Sequence, residues 1–263
     1  MRRMFSSAVL IGAALVGLSS VASAEPVAVR HAEGLVHGFL ALRSLEGKLL
    51  ASGDLIQEVH GDRVTSRLVF RFRDGSVHDE TAVFSQRGHF RLISDHLVQK
   101  GPTFERPLDM SIDVPSGQVT VRYQNEHREE KTETEHLDLP DDLANGMLIT
   151  LLKNIGPGPS PAVVSFLAAT PKPRLVKLKF TATGSDPFSI AGSGRTATHY
   201  VVKVELGGVA GIVAPLIGKQ PPDSHVWILE GEAPAFVRSE AFLAIGGPVW
   251  RTDLESPTWP RPR

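Results

Sequence analysis

The sequence predicts a mainly β protein: a curved antiparallel sheet or half-open β-barrel covered by one α-helix at about residues 141–154. Three observations carry this expectation. The chain is dominated by short runs that alternate apolar and polar residues, separated by turn residues. Asp74-Gly75 and Pro115-Ser116-Gly117 mark hairpin turns between such runs. One segment only, following Pro140, departs from the period of two and repeats its apolar residues at spacings of three and four.

The chain opens with an export layout. Met1-Arg2-Arg3-Met4 is a short positive region, Val9 to Leu18 is uncharged and apolar, and Ala22-Ser23-Ala24 fits a signal-peptidase site. The apolar core is about half the 20 residues a spanning helix needs. The expectation is a signal peptide over 1–24, cleaved near Ala24, delivering a periplasmic or secreted protein with no stable membrane insertion. Arg2-Arg3 leaves Sec and twin-arginine export both open.

The remaining chain reads as a single β-rich domain over 25–255 followed by a flexible tail, 256–263. With no Cys, it has neither a disulfide nor a thiol for lipid attachment, so its core alone must hold it together. The full chain carries a net charge of −1, and losing Arg2 and Arg3 makes it more acidic. That charge disfavours nucleic acid as a partner.

The first strand candidate is Leu35 to Leu42. The second is Leu49 to His60, turned by Gly61-Asp62. In the third, Val64 to Arg73, Leu68, Phe70 and Phe72 share one face and Arg67, Arg71 and Arg73 the other. After Asp74-Gly75 the chain returns over Ser76 to Ser85, turns at Gln86-Arg87-Gly88, and continues over His89 to Gln99. Pro107 to Val114 and Gln118 to Gln124 form a further hairpin, and Lys131 to Leu139 ends the meander.

Pro140-Asp141-Asp142 then precedes Leu143, Met147, Leu148, Leu151 and Leu152, which predicts a buried helix of about four turns with its acids at the positive end of the dipole. Asn154-Ile155-Gly156-Pro157 ends it. The Gly-Pro-rich stretch 156–161 is read as a stiff loop in preference to a domain linker. Further strands are expected over Leu175 to Thr183, Thr196 to Leu206, His225 to Glu230, Ala235 to Ala244 and Val249 to Leu254. Gly207 to Gly218 reads as an apolar loop or lid.

No catalytic signature is present: no G-x-S-x-G elbow, no zinc-helix motif, no phosphate-binding or dinucleotide-binding glycine loop. This disfavours an enzyme without excluding one, and calls for no cofactor and no metal. The most chemically suggestive cluster is His78-Asp79-Glu80. A two-residue hairpin loop is expected to set Asp79 opposite Phe70, a three-residue loop Glu80. His96 is expected on the face that carries Phe90, Leu92 and Val98. The candidate ligand-binding residues are therefore Phe70, Glu80 and His96 from the sheet, with Met147 and Leu151 from the helix. The alternative for these polar residues is pairing with Arg67, Arg71 and Arg91, or facing water at a sheet edge. The acids of Glu126 to Asp142 read as a solvated edge, His199 and Lys203 as solvent-facing, and Trp227 and Trp250 as core or pocket wall.

The export signal, the long meander, the helix with its stripe from Leu143 to Leu152, and the closing Trp227-Ile228-Leu229 and Phe236-Val237-Arg238 strands together resemble uncharacterised periplasmic domain-of-unknown-function proteins. Their layout is similar to the half-open β-barrel carriers of lipoproteins and lipids. The resemblance implies an apolar cavity between a curved sheet and its helix, hence a non-enzymatic binding or carrier protein for a lipid or other apolar ligand. Two other readings stay open: a hydrolase or metal-dependent enzyme using His78, Glu80 and His96, and a cell-envelope assembly or scaffold component with a protein partner.

Overall fold

A computed structural model of the chain describes residues 25–158, 160–190, 193–205 and 221–255. The expected signal peptide (1–24), the loop or lid (207–218) and the tail (256–263) lie outside them.

The described residues form one 14-stranded antiparallel sheet. Its strands are β1 (Val36–Arg43), β2 (Leu49–His60), β3 (Arg63–Phe72), β4 (Val77–Arg87), β5 (His89–Lys100), β6 (Leu108–Asp113), β7 (Gln118–Gln124) and β8 (Glu130–His136) before the helix α1 (Leu148–Ile155). After it come β9 (Ala162–Ala168), β10 (Arg174–Ile190), β11 (Ser193–Glu205), β12 (Ser224–Leu229), β13 (Ala235–Phe242) and β14 (Val249–Glu255). The order is β8-β7-β6-β5-β4-β3-β2-β1-β14-β13-β12-β11-β10-β9. Each half of the chain is a meander, and β1 against β14 joins the halves, with Leu40 opposite Leu254. β8 and β9 remain as edges, so the sheet does not close into a barrel.

The sheet nevertheless curls tightly. β5 and β13 are six strands apart in the order, which in a flat sheet is about 29 Å at the usual strand spacing. Yet Gln99 at the end of β5 donates a hydrogen bond of 2.6 Å to the carbonyl of Leu243, just beyond β13. The inner face is a single apolar cluster that draws on both ends of the sheet, from Val119 and Val121 of β7 to Val164 and Leu167 of β9.

The segment between β8 and β9 fills the concavity, but as a shorter helix than the sequence predicts. α1 has two turns instead of four, and no acid lies in its first turn. The upstream residues instead pass through two turns against the edge of β9 and bridge it where Leu143 pairs with Ser165. Ala144 N donates to Ser165 O at 2.9 Å, and Asp142 accepts from Ser165 N and Oγ at 2.9 and 2.8 Å. Asn145 exchanges two bonds with the backbone of Leu167. A non-helical segment, with backbone and side-chain groups free to bond sideways, satisfies the open edge of β9 in a way a helix cannot. Gly146, at φ 66°, then turns the chain into α1. Gly156, at φ 67°, ends the helix, as the sequence indicates.

The far end of α1 is clamped to the start of the domain. Asn154 Oδ1 accepts from the backbone N–H groups of Arg30 and His31 at 2.9 and 2.7 Å. The buried Lys153 ammonium lies 2.6 and 2.7 Å from the two oxygens of Glu33. β9 was not anticipated: its run Ala-Val-Val-Ser-Phe-Leu-Ala does not alternate, because the 142–145 segment covers its edge and both faces are partly buried.

Candidate functional site

The chemically distinctive part of the molecule is the stretch of concave wall built by β2, β3, β4 and β5. The β3–β4 turn sets its register. Phe72 N donates to Ser76 O at 2.9 Å and Gly75 N to Phe72 O at 3.2 Å, with Gly75 at φ 84°. The loop is therefore Arg73-Asp74-Gly75, and His78 stands opposite Phe70. This corrects both expected registers. Asp79 turns to the outer face and pairs with Arg67 through two bonds of 2.9 and 2.6 Å. Glu80 keeps to the inner face, opposite Leu68.

His96 requires a second correction. A β-bulge interrupts β4 and β5: Val83 faces Ser94 but Phe84 faces Leu92, leaving Ile93 as the extra residue. The bulge shifts the alternation by one residue. Phe90 and Leu92 point inward, but beyond Ile93 it is Asp95, Leu97 and Gln99 that do so. His96 is on the outer face, exposed, with its Nε2 3.0 Å from Asp109 Oδ1. There it lines a polar groove of about 260 Å³ with Ser94, Ser111, Gln118 and Thr120. His78, Glu80 and His96 do not converge, and the enzyme reading that required all three is set aside.

The other candidates share the inner face. Phe70 is buried with its ring over Gly53, where a Cβ would sit 2.5 Å from the ring. Met147 and Leu151 are buried in the covering segment. Glu80 sits between these groups and solvent. It is half-buried although protein surrounds its carboxyl group, the combination expected of a side chain lining a concave wall.

The group missed from sequence is Asp95. It lies across from Ala82, two pairs along from Glu80 and on the same face. It is 1% exposed, and among the described residues neither carboxyl oxygen has a hydrogen-bond partner. Burial, and then the charge of Glu80, push its carboxyl well above the usual range. Burial raises Glu80 to about 7. Read at fixed alternation along β5, Asp95 falls on the solvent side; only the bulge places it inside.

His78, by contrast, is fixed as a neutral base. Its Nδ1 is 3.1 Å from Gln99 Nε2. Since that same amide donates to the Leu243 carbonyl, it is the NH₂ end of Gln99 that faces His78, and Nδ1 accepts. The proton then sits on Nε2, which is buried with no partner among the described residues. Burial lowers His78 to about 4, against the opposing pull of Asp79.

A cross-strand row that is less deeply buried than its neighbours runs up to this polar patch. Gly38, Leu55, Leu68 and Glu80 are successive partners across β1, β2, β3 and β4, and all four are half-buried. The rows on either side are closed: His78, Phe70 and Gly53 on one, Ala82, Ser66 and Gln57 on the other, all buried. Thr150 of α1 lies over the latter, 3.4 Å from Gln57 Nε2. The open row is thus a narrow apolar strip, with Leu254 at one end (37% exposed and next to Gly38) and Glu80 at the other.

Elsewhere, β8 is exposed along nearly its whole length, whereas Asp142 of the same acidic stretch is buried against Ser165. Lys203 pairs with Asp223 at 3.1 Å. Trp250 packs inside against Phe72, but Trp227 lies on the outer face, stacked on His199 at 4.5 Å, with Nε1 donating to Asp186 at 2.7 Å. His199 Nε2 is 2.9 Å from His225 Nδ1. Among the described residues no three His, Asp or Glu side chains are grouped to hold a metal ion.

No family model matches the chain, and no curated protein matches it. Among solved structures it is similar to a β-barrel-like protein of a domain of unknown function, DUF1849, from Brucella abortus. The TM-score is 0.44 at 9% sequence identity, over 86% of this chain and 100% of that one.

Proposed function

We propose that this is an exported envelope protein that binds, and in that sense carries, an apolar ligand such as a lipid on the concave face of its sheet. The observation that supports this reading is the open row Leu55–Leu68–Glu80. It is an accessible apolar strip inside an otherwise close-packed wall, and it ends on polar groups, as a site for a molecule with an apolar body and a polar end requires. The export layout of residues 1–24 supports a periplasmic or secreted location.

A scaffold role through strand addition is less well supported. The exposed edge β8 reads Glu-Lys-Thr-Glu-Thr-Glu-His, a charged sequence of the kind that discourages pairing.

The test is native mass spectrometry on protein recovered from the exporting cell, before and after mild delipidation. An adduct lost on delipidation, and absent from Leu68→Glu protein that retains the wild-type circular dichroism, supports the proposal. Ligand-free wild-type protein that also fails to take up dodecanol would sink it. Export is tested separately by N-terminal sequencing, with a start at Glu25 expected and an intact Met1 counting against it.

A further inference from the structure

We infer that the polar end of the bound ligand is a cationic amine, held by Glu80 with Asp95 behind it; this rests on the binding reading above. The argument is charge complementarity. Two carboxyl groups stand together on the inner wall, Asp95 fully buried and Glu80 half-buried at the end of the apolar row. Neither has a salt-bridge partner among the described residues.

The cations of the neighbourhood are engaged elsewhere. Arg67 binds Asp79 and Arg71 binds Asp54, both on the outer face. Arg91 binds Asp141, Lys153 binds Glu33, and Lys177 is 3.6 Å from Asp142. A buried carboxylate without a counter-ion is costly, so the wall is incomplete electrostatically in a way an ammonium group completes. Its charge-assisted hydrogen bond to Glu80 forms in a site of low dielectric, where such bonds are strong. A fatty-acid carboxylate or a phosphate entering the same row finds no counter-charge there and meets the ionised fraction of Glu80. Leu55 and Leu68 then take the first carbons of an alkyl chain, with Leu254 at the far end of the row.

Three probes with the same tail and different ends decide the matter: dodecylamine, dodecanol and dodecanoate, each below its micellar concentration, titrated calorimetrically into the wild-type protein at pH 7. The expected order is dodecylamine at least tenfold tighter than dodecanol, with dodecanoate weakest. Binding of the amine should release protons, read as a dependence of the observed heat on the buffer's ionisation enthalpy. In Glu80→Gln the amine should lose its tenfold preference and its proton release.

If dodecanol and dodecanoate bind as well as the amine, the inference is overturned while the binding reading stands. If none of the three binds, both fall. The wild-type comparison needs no variant, so poor folding of Glu80→Gln does not protect the inference.

Discussion

Gly146 passes directly over Asp95: a Cβ on that glycine would sit 2.7 Å from Asp95 Oδ1 and 2.5 Å from the Ala82 Cβ. Gly146 is also at φ 66°, the left-handed region that side chains resist. The covering segment thus lies flush on Asp95 only because this position carries no side chain. Gly146→Ala should cost roughly 2–4 kcal/mol, from backbone strain together with overpacking. Gly61 supplies the control. It has a nearly identical φ of 65° but nothing within 4 Å of its added Cβ, so Gly61→Ala should cost only about 1 kcal/mol. Urea denaturation of both variants measures the difference, and equal losses would show that Gly146 is not pressed against the wall.

The inner wall also predicts the dependence of stability on pH. Glu80 is raised to about 7 in the folded state. Its contribution is present below the unfolded carboxyl range and is lost as pH rises through 7. Asp95, raised for the same reason, acts in the same direction. His78, lowered to about 4, does the opposite: its contribution is present above the ordinary histidine range and is lost as pH falls towards 4. Between about pH 4.5 and 6.5 the histidine offsets only one of the two carboxyls, so the net decline there is shallow. Above 6.5 only the carboxyls still titrate, so wild-type stability should fall from pH 6.5 to 8. Glu80→Gln should weaken that fall and leave stability nearly level from about pH 4.5 to 6.5, where Asp95 and His78 then oppose each other. His78→Gln should leave a continuous decline. Thermal melts across the range check this; a wild-type curve that rises from pH 6.5 to 8 would contradict the assignment.

The strands were readable in sequence because each runs long enough for its alternation to show, and the Asp74-Gly75 and Gly156 signals fall where the chain turns and where the helix ends. What was not readable depends on single residues and on distant parts of the chain. One extra residue, Ile93, reverses the facing of everything after it in β5, and no local pattern distinguishes it from its neighbours Leu92 and Ser94. The first half of the expected helix has the apolar spacing of a helix, yet Asp142, Ala144 and Asn145 are claimed by the edge of β9, about twenty residues further along. The curling that brings Gln99 to Leu243 is likewise a property of the whole sheet.

The facing of His96 has its own test. Because it pairs with Asp109 at the exposed outer surface, His96→Ala should change stability by less than about 1 kcal/mol and leave the pH profile set by Glu80 and His78 intact. Asp95→Asn, in contrast, should stabilise the protein at pH 8, where the full cost of an unpaired buried carboxyl is felt, and should have a clearly smaller effect at pH 5. Comparing the two variants at both pH values distinguishes neighbours in sequence that occupy opposite faces. Equal effects would restore His96 to the inner wall.

The clamp between α1 and the start of the domain yields the last prediction. Lys153 and Glu33 are both largely buried, with side-chain exposures of 14% and 5%, so removing one partner leaves an uncompensated charge. Lys153→Met should cost about 3–5 kcal/mol, well above the value of any exposed ion pair on the outer face. The double variant Lys153→Met with Glu33→Leu should recover a large part of that loss, since apolar groups of similar volume can replace a buried pair. The backbone bonds from Arg30 and His31 to Asn154 remain in both variants and hold the segment in register. Urea midpoints of the two single variants and the double complete a mutant cycle. A coupling near zero would mean that Asn154 alone secures the helix end and that the ion pair contributes nothing to it.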